Sequence, residues 1–152
     1  MRDPTPALLE EVLGQVLQEA AFVFAEPSDE PDCWTPPVLI AQIAFESVRG
    51  GMLRLTLPPR GAVEIAANML GVDPGDPEAE TQGRAALAEI LNVIGGAFVT
   101  RFFGTKVPSQ LGLPSTALLD APLRAPRTCA ATLQLESGEP VVLELDLEPA
   151  AA

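Results

Sequence analysis

Glu89 and Asn92 stand three residues apart in the segment Ala88–Gly96 (AEILNVIGG), a spacing that makes side chains neighbours on a helix. An amide both donates and accepts hydrogen bonds, so it can orient a water molecule without becoming a base. A carboxylate drawn into an interface is costly unless it meets a cation. The pair therefore suits chemistry in which a water is held and a positive charge on a second molecule is met. Alone it is unspecific, because an acid and an amide at this spacing arise readily by chance.

Its surroundings are less ordinary. The stretch PEAETQGRAALAEILNVIGGAFVTRFFG reads as one helix, with Asp76 before Pro77 as its start. Glu78 and Glu80 suit the positive end, and Arg101 suits the negative one. At 100° per residue, Leu87, Ile90, Leu91, Ile94, Phe98 and Phe102 share one side and form its core face. The opposite side carries Ala85, Glu89, Asn92 and Gly96, flanked by Ala88 and Gly95. Solvated helix faces are normally built from Lys, Glu, Gln and Arg, and each interior glycine costs about 1 kcal/mol relative to alanine. Two compensations stand open. One is close approach by a partner; the other is tight packing against the first helix or the sheet.

The rest of the chain must position that helix. Residues 5–25 read as an amphipathic helix capped by Thr5 and opened by Pro6, with Leu9, Leu13, Val16, Leu17, Ala20 and Phe24 at helical spacing. An acidic, proline-rich connection (26–37) follows, with Trp34 as its anchor. Val38–Phe45 and Met52–Leu57 form a hairpin in which Gly50 and Gly51 supply positive φ. Pro58-Pro59 ends the second strand, and a short helix over about 60–70 stops at Gly71. An extended crossing leads to two strands, Ala130–Glu136 and Val141–Glu148, which alternate apolar and polar residues. Alternation predicts a sheet with one wet face and one covered face. The fold class is α+β: a two-layer, antiparallel sheet with helices packed on one face, in the order αββααββ, with room for one more strand near 115–120. One domain spans residues 1–152, and residues 149–152 form a frayed tail. Glu144, Asp146 and Glu148 mark the C-terminal strand as a guarded edge that a second copy would pair with.

Composition removes whole classes of function. The chain of 152 residues contains no histidine, which excludes Ser-His-Asp and Cys-His nucleophiles, HExxH zinc sites and histidine acid–base catalysis. The net charge of −12 and a single lysine, Lys106, argue against nucleic acid and anionic lipid as partners. Cys33 and Cys129 show no metal-ligand spacing and read as reduced, partly buried thiols. No metal site and no cofactor are expected. The N-terminal apolar stretch is broken by Glu10, Glu11 and Glu19, so neither a signal peptide nor a membrane span is expected, and the cytoplasm is the default location.

The segment around Glu89 and Asn92 closely resembles the signature of the CheC/CheX/FliY family of chemotaxis phosphatases. There a helix bears Asp or Ser, then Glu four residues on, then Asn three further, with a proline later in the chain. Pro114 follows Asn92 by 22 residues, where that proline is expected, and Ala85 stands where the family has Asp or Ser. The N-terminal helix, the hairpin with its Gly-Gly, the short helix ending in NMLG and the paired terminal strands look like the family pattern in the same order. The length is similar to the one-site CheX form. The resemblance implies dephosphorylation of an aspartyl phosphate on a CheY-type response regulator. Asn92 would hold the attacking water and Glu89 would pair with the regulator's lysine. Ala85, Ala88, Gly96 and Pro114 would admit the rim of its pocket. Mg²⁺ would be the regulator's, and a homodimer is implied. Ala85 favours a second reading, a non-catalytic interaction module of the same fold. In a third, the Glu89/Asn92 face is the subunit contact of a dimeric structural protein.

Overall fold

The computed structural model describes residues 3–149, and residues 150–152 of the expected tail lie outside them. Helix α1 spans Pro6–Ala21, and its N-cap Thr5 accepts a hydrogen bond from the Leu8 amide at 3.2 Å. The helix is shorter than its periodicity suggests. Phe22 closes it in the left-handed region at φ 56°, and Val23 is buried while Phe22 and Phe24 are exposed. Phe24 is thus not a core residue of α1, because the chain has already turned extended there.

The sheet is antiparallel. A two-residue strand β1 (Glu26–Pro27) precedes the hairpin β2 (Val38–Glu46) and β3 (Gly51–Leu57). Neither Gly50 nor Gly51 has the positive φ expected of it; that conformation belongs to Gly71, Gly104 and Gly138. Gly51 is required for clearance instead, since a Cβ there would lie 2.6 Å from both the Asp146 carbonyl oxygen and Phe45 Cζ. Helix α2 (Pro59–Leu70) follows and ends at Gly71 in the left-handed region, as read.

The helix expected to begin at Asp76 is divided. Asp76 caps a short α3 (Pro77–Thr81), and Gln82 joins it to α4 (Gly83–Phe103). The break lets Gly83 pack against α2, where its Cβ would sit 3.7 Å from Ala62 Cβ. Periodicity cannot reveal such a break, because both pieces keep helical backbone and share one run of good helix formers.

Two short strands, β4 (Gln110–Leu111) and β5 (Ser115–Leu119), both pair with β2. Strand β5 occupies the place left for a strand near 115–120. The chain closes with β6 (Cys129–Gln134) and β7 (Pro140–Leu147). The sheet order is β1-β6-β7-β3-β2-β4, with β5 also on β2. Strand β7 therefore lies inside the sheet, between β6 and β3, and the expected C-terminal edge does not exist. Glu144, Asp146 and Glu148 guard nothing; the free edges are β1 on one side and β4 and β5 on the other.

α1, α2 and α4 pack on one face of the sheet, and the core lies between the layers. Leu9, Leu13, Leu55, Leu91, Ile94 and Leu143 are all buried there. An aromatic cluster ties the C-terminal half of α4 to β2: Phe45 meets Phe98 at 5.5 Å between ring centroids, and Phe98 stacks on Phe102 at 5.5 Å. By length and composition α4 could cross a membrane, with a mean hydropathy of 1.4 over its most apolar window. Its apolar side chains, however, form the core's central helix.

The second face of the sheet is wet only in part: Ala44, Glu46 and Gln134 are exposed there, as alternation predicts, but its middle is covered. Arg54, Thr56, Thr132 and Glu144 all point there and are buried. The reason is topological. Strand β5 lies beside β2 and β6 lies beyond β7, so the connection between them has to cross the sheet. It crosses the outer face, where Arg127 meets Glu30 from the 28–37 connection and Glu144 of β7.

Candidate functional site

Core packing fixes which face of α4 is free. Leu87, Ile90, Leu91, Ile94 and Phe98 are each fully buried, which holds the helix at one rotation about its axis. Ala85, Glu89 and Asn92 are consequently exposed, Ala88 and Gly96 are half-buried, and all five lie along one side of the helix. Glu89 enters none of the ion pairs among the described residues. Its carboxylate faces solvent.

The two adjacent glycines divide the alternatives left by the sequence. A Cβ on Gly95 would approach Leu111 Cδ2 to 3.1 Å and Ile43 Cδ1 to 3.7 Å. This glycine exists to let β4 and the sheet pack closely. A Cβ on Gly96 would meet nothing within 4 Å, so nothing in the chain's own packing calls for it.

Pro114 is half-buried in the bend between β4 and β5, and α4 packs against both strands. Two apolar side chains that sequence reasoning passed over flank this region. Leu113 is 93% exposed and Val93 is 42% exposed. Val93 lies four residues after Glu89, hence on the same face, and an apolar residue at that angle is a signal available from the sequence. Beyond Val93 and Gly96 the surface dips into a groove of about 420 Å³ shared with Gln15 and Glu19 of α1. Arg101 spans its neighbourhood, bonded to Glu11 Oε2 at 2.7 Å and Gln15 Oε1 at 3.3 Å, and so ties α1 to α4. Among the described residues no three His, Cys, Asp or Glu side chains are grouped to hold a metal ion. Cys129 is half-buried with its thiol pushed up by desolvation, whereas Cys33 is exposed rather than partly buried.

The family model described as "Chemotaxis phosphatase CheX" matches residues 39–131, well over half of the chain. The chain belongs to the CheX family. Solved structures agree on the fold of this CheX-family protein. The CheX chemotaxis protein of Desulfovibrio desulfuricans superposes with a TM-score of 0.70 at 20% identity, covering 93% of this chain and 97% of that one. The CheX of a CheX–CheY–BeF3–Mg²⁺ complex from Borrelia burgdorferi gives a TM-score of 0.73 at 16% identity, covering 97% and 100%. FliY of Thermotoga maritima gives 0.58 at 11% identity, covering 98% and 93%. Comparison with curated protein sequences gives no significant match.

Proposed function

We propose that this CheX-family protein accelerates hydrolysis of the aspartyl phosphate of a CheY-type response regulator in chemotaxis or two-component signalling. The observation that carries the reading is the exposure of both Glu89 and Asn92 on one face of α4, unburdened by the core. Phosphoryl transfer asks little covalent chemistry of the protein; a water in line and neutralised charge suffice. Asn92 supplies the positioning amide, and Glu89 pairs with the regulator's lysine. The half-buried Ala88 and Gly96, with Ala85 and Pro114, keep the surface low enough for the rim of the phosphorylation site to reach the helix. Mg²⁺ enters with the regulator and neutralises the phosphoryl oxygens there. The encounter takes place in the cytoplasm, where such regulators work.

The test is the decay of a phosphorylated CheY-type receiver with and without the purified protein. Faster decay, slowed on the order of 10²–10³-fold by Asn92→Ala with binding retained, supports the reading. Binding without any change in decay overturns it in favour of the interaction module, which Ala85 favours. A homodimer formed by edge pairing would use one of the free edges, β1 or β4 and β5, and not the C-terminal strand; sedimentation velocity reads whether a dimer forms.

A further inference from the structure

The groove of about 420 Å³ between α1 and α4 has apolar walls, with Val16 and Ala20 from one helix and Val93 and Ala97 from the other. Val16 is buried and both alanines are half-buried, whereas Val93 is 42% exposed. A valine thus stands in solvent beside the groove, and no element of the fold covers it.

The rim decides what charge the groove accepts. Arg101, which also lines it, is no free cation: it donates to Glu11 Oε2 at 2.7 Å and to Gln15 Oε1 at 3.3 Å. Gln15 in turn donates through Nε2 to Glu19 Oε1 at 3.2 Å. Glu19 is exposed and enters none of the ion pairs among the described residues. An amide orients that carboxylate without neutralising it, so the charge left unmatched on the rim is negative. Complementary potentials favour a cationic neighbour and like charges exclude an anionic one. Apolar walls beside one open carboxylate suit an apolar side chain that has a Lys or Arg next to it.

The groove is continuous with the Glu89/Asn92 face. Val93 and Gly96, which both line it, follow Glu89 and Asn92 by four residues each, about 6 Å along the helix axis. A specific protein interface covers about 800 Å² on each partner, far more than two side chains present. A receiver centred on the pair therefore covers the groove as well.

Resting on the reading of α4 as the receiver's docking face, we propose that this groove is a recognition subsite for that receiver. It takes an apolar side chain against Val93, Ala97 and Ala20, and a neighbouring Lys or Arg against Glu19. The subsite selects which receiver is held and makes no contact with the reacting phosphoryl group, so recognition and hydrolysis should separate. The full chain is titrated with a CheY-type receiver activated by beryllofluoride and Mg²⁺ to give Kd, and decay of the phosphorylated receiver across its concentration gives KM and kcat. Glu19→Lys and Val93→Ser, both at exposed side chains, should each raise Kd and KM about fivefold to tenfold and leave kcat near that of the parent. Glu19→Gln keeps an acceptor for Gln15 and should act in the same direction by less; it serves if the lysine variant folds poorly. Glu136→Lys makes the same change of net charge at an exposed position in the β6–β7 turn and should move neither constant. A parent that binds the activated receiver without hastening decay sinks the phosphatase reading alone, and Kd still decides the groove. A Kd unmoved by either groove substitution, a loss of kcat at unchanged affinity, an equal weakening by Glu136→Lys, or no binding of the activated receiver by the parent would overturn the subsite.

Discussion

Gly95 and Gly96 are neighbours in α4 with opposite surroundings: a Cβ at Gly95 would press on Leu111 at 3.1 Å, while one at Gly96 would meet nothing within 4 Å. Replacing each by alanine should separate packing from function. Gly96→Ala should stabilise the helix by about 1 kcal/mol, read as a raised urea midpoint, and yet weaken docking to a phosphorylated receiver. Gly95→Ala should gain less or lose stability, because Leu111 and the sheet beneath must give way. If Gly96→Ala leaves dephosphorylation untouched, the low surface at that position is not a docking feature.

Ala85 is exposed one turn before Glu89, in the position where the family pattern has Asp or Ser. Ala85→Asp should therefore raise the rate at which the protein discharges a phosphorylated receiver, with little effect on folding since the side chain enters solvent. Single-turnover decay of the phosphoregulator measures it. A rate equal to that of the parent would mean that Glu89 and Asn92 suffice without the first polar residue.

On the other face, Arg54 donates through Nε to Glu144 Oε1 at 3.2 Å, with side chains 4% and 11% exposed. Removing one partner of such a pair leaves a buried charge unmatched. Glu144→Ala should cost several kcal/mol, toward the low end of about 3–5 kcal/mol because Glu144 retains some solvent contact. The double change Arg54→Met with Glu144→Leu should recover most of that loss. Equilibrium unfolding of the three variants tests whether the pair stabilises the fold or merely has to be kept whole.

Hydrogen bonds from Arg127 hold the Glu30 carboxyl below the usual carboxylate range, against the burial that pushes it up. Its folded pKa thus lies below its unfolded value of about 4.3. The stabilisation is complete above that unfolded value and is lost as pH falls through the folded one. The difference in unfolding midpoint between the parent and Glu30→Gln should be constant near neutrality and shrink in acid. A difference that grows in acid would contradict the Arg127–Glu30 linkage.

Much of the molecule was legible in its residues. Thr5 and Pro6 opened α1, Gly71 closed α2, and the spacing of Leu87, Ile90, Leu91, Ile94 and Phe98 oriented α4 and so exposed Glu89 and Asn92. These features are local: caps and periodicity act over a few residues, and a strip of apolar side chains can be buried in only one direction. The family pattern carried over that same face.

The tertiary structure decided what depends on residues far apart in the chain. It placed β7 inside the sheet, so that Glu144 became half of a buried ion pair with Arg54 instead of an edge guard. It sent the 120–128 connection over a face that alternation marked as wet. It also gave Gly95 a packing reason that its neighbour Gly96 lacks. Strand order and crossovers are set by which elements compete for the same core, and no window of sequence contains both sides of that competition. The Glu89/Asn92 pair was written in the helix; the open ground around Gly96 came only from what failed to pack against it.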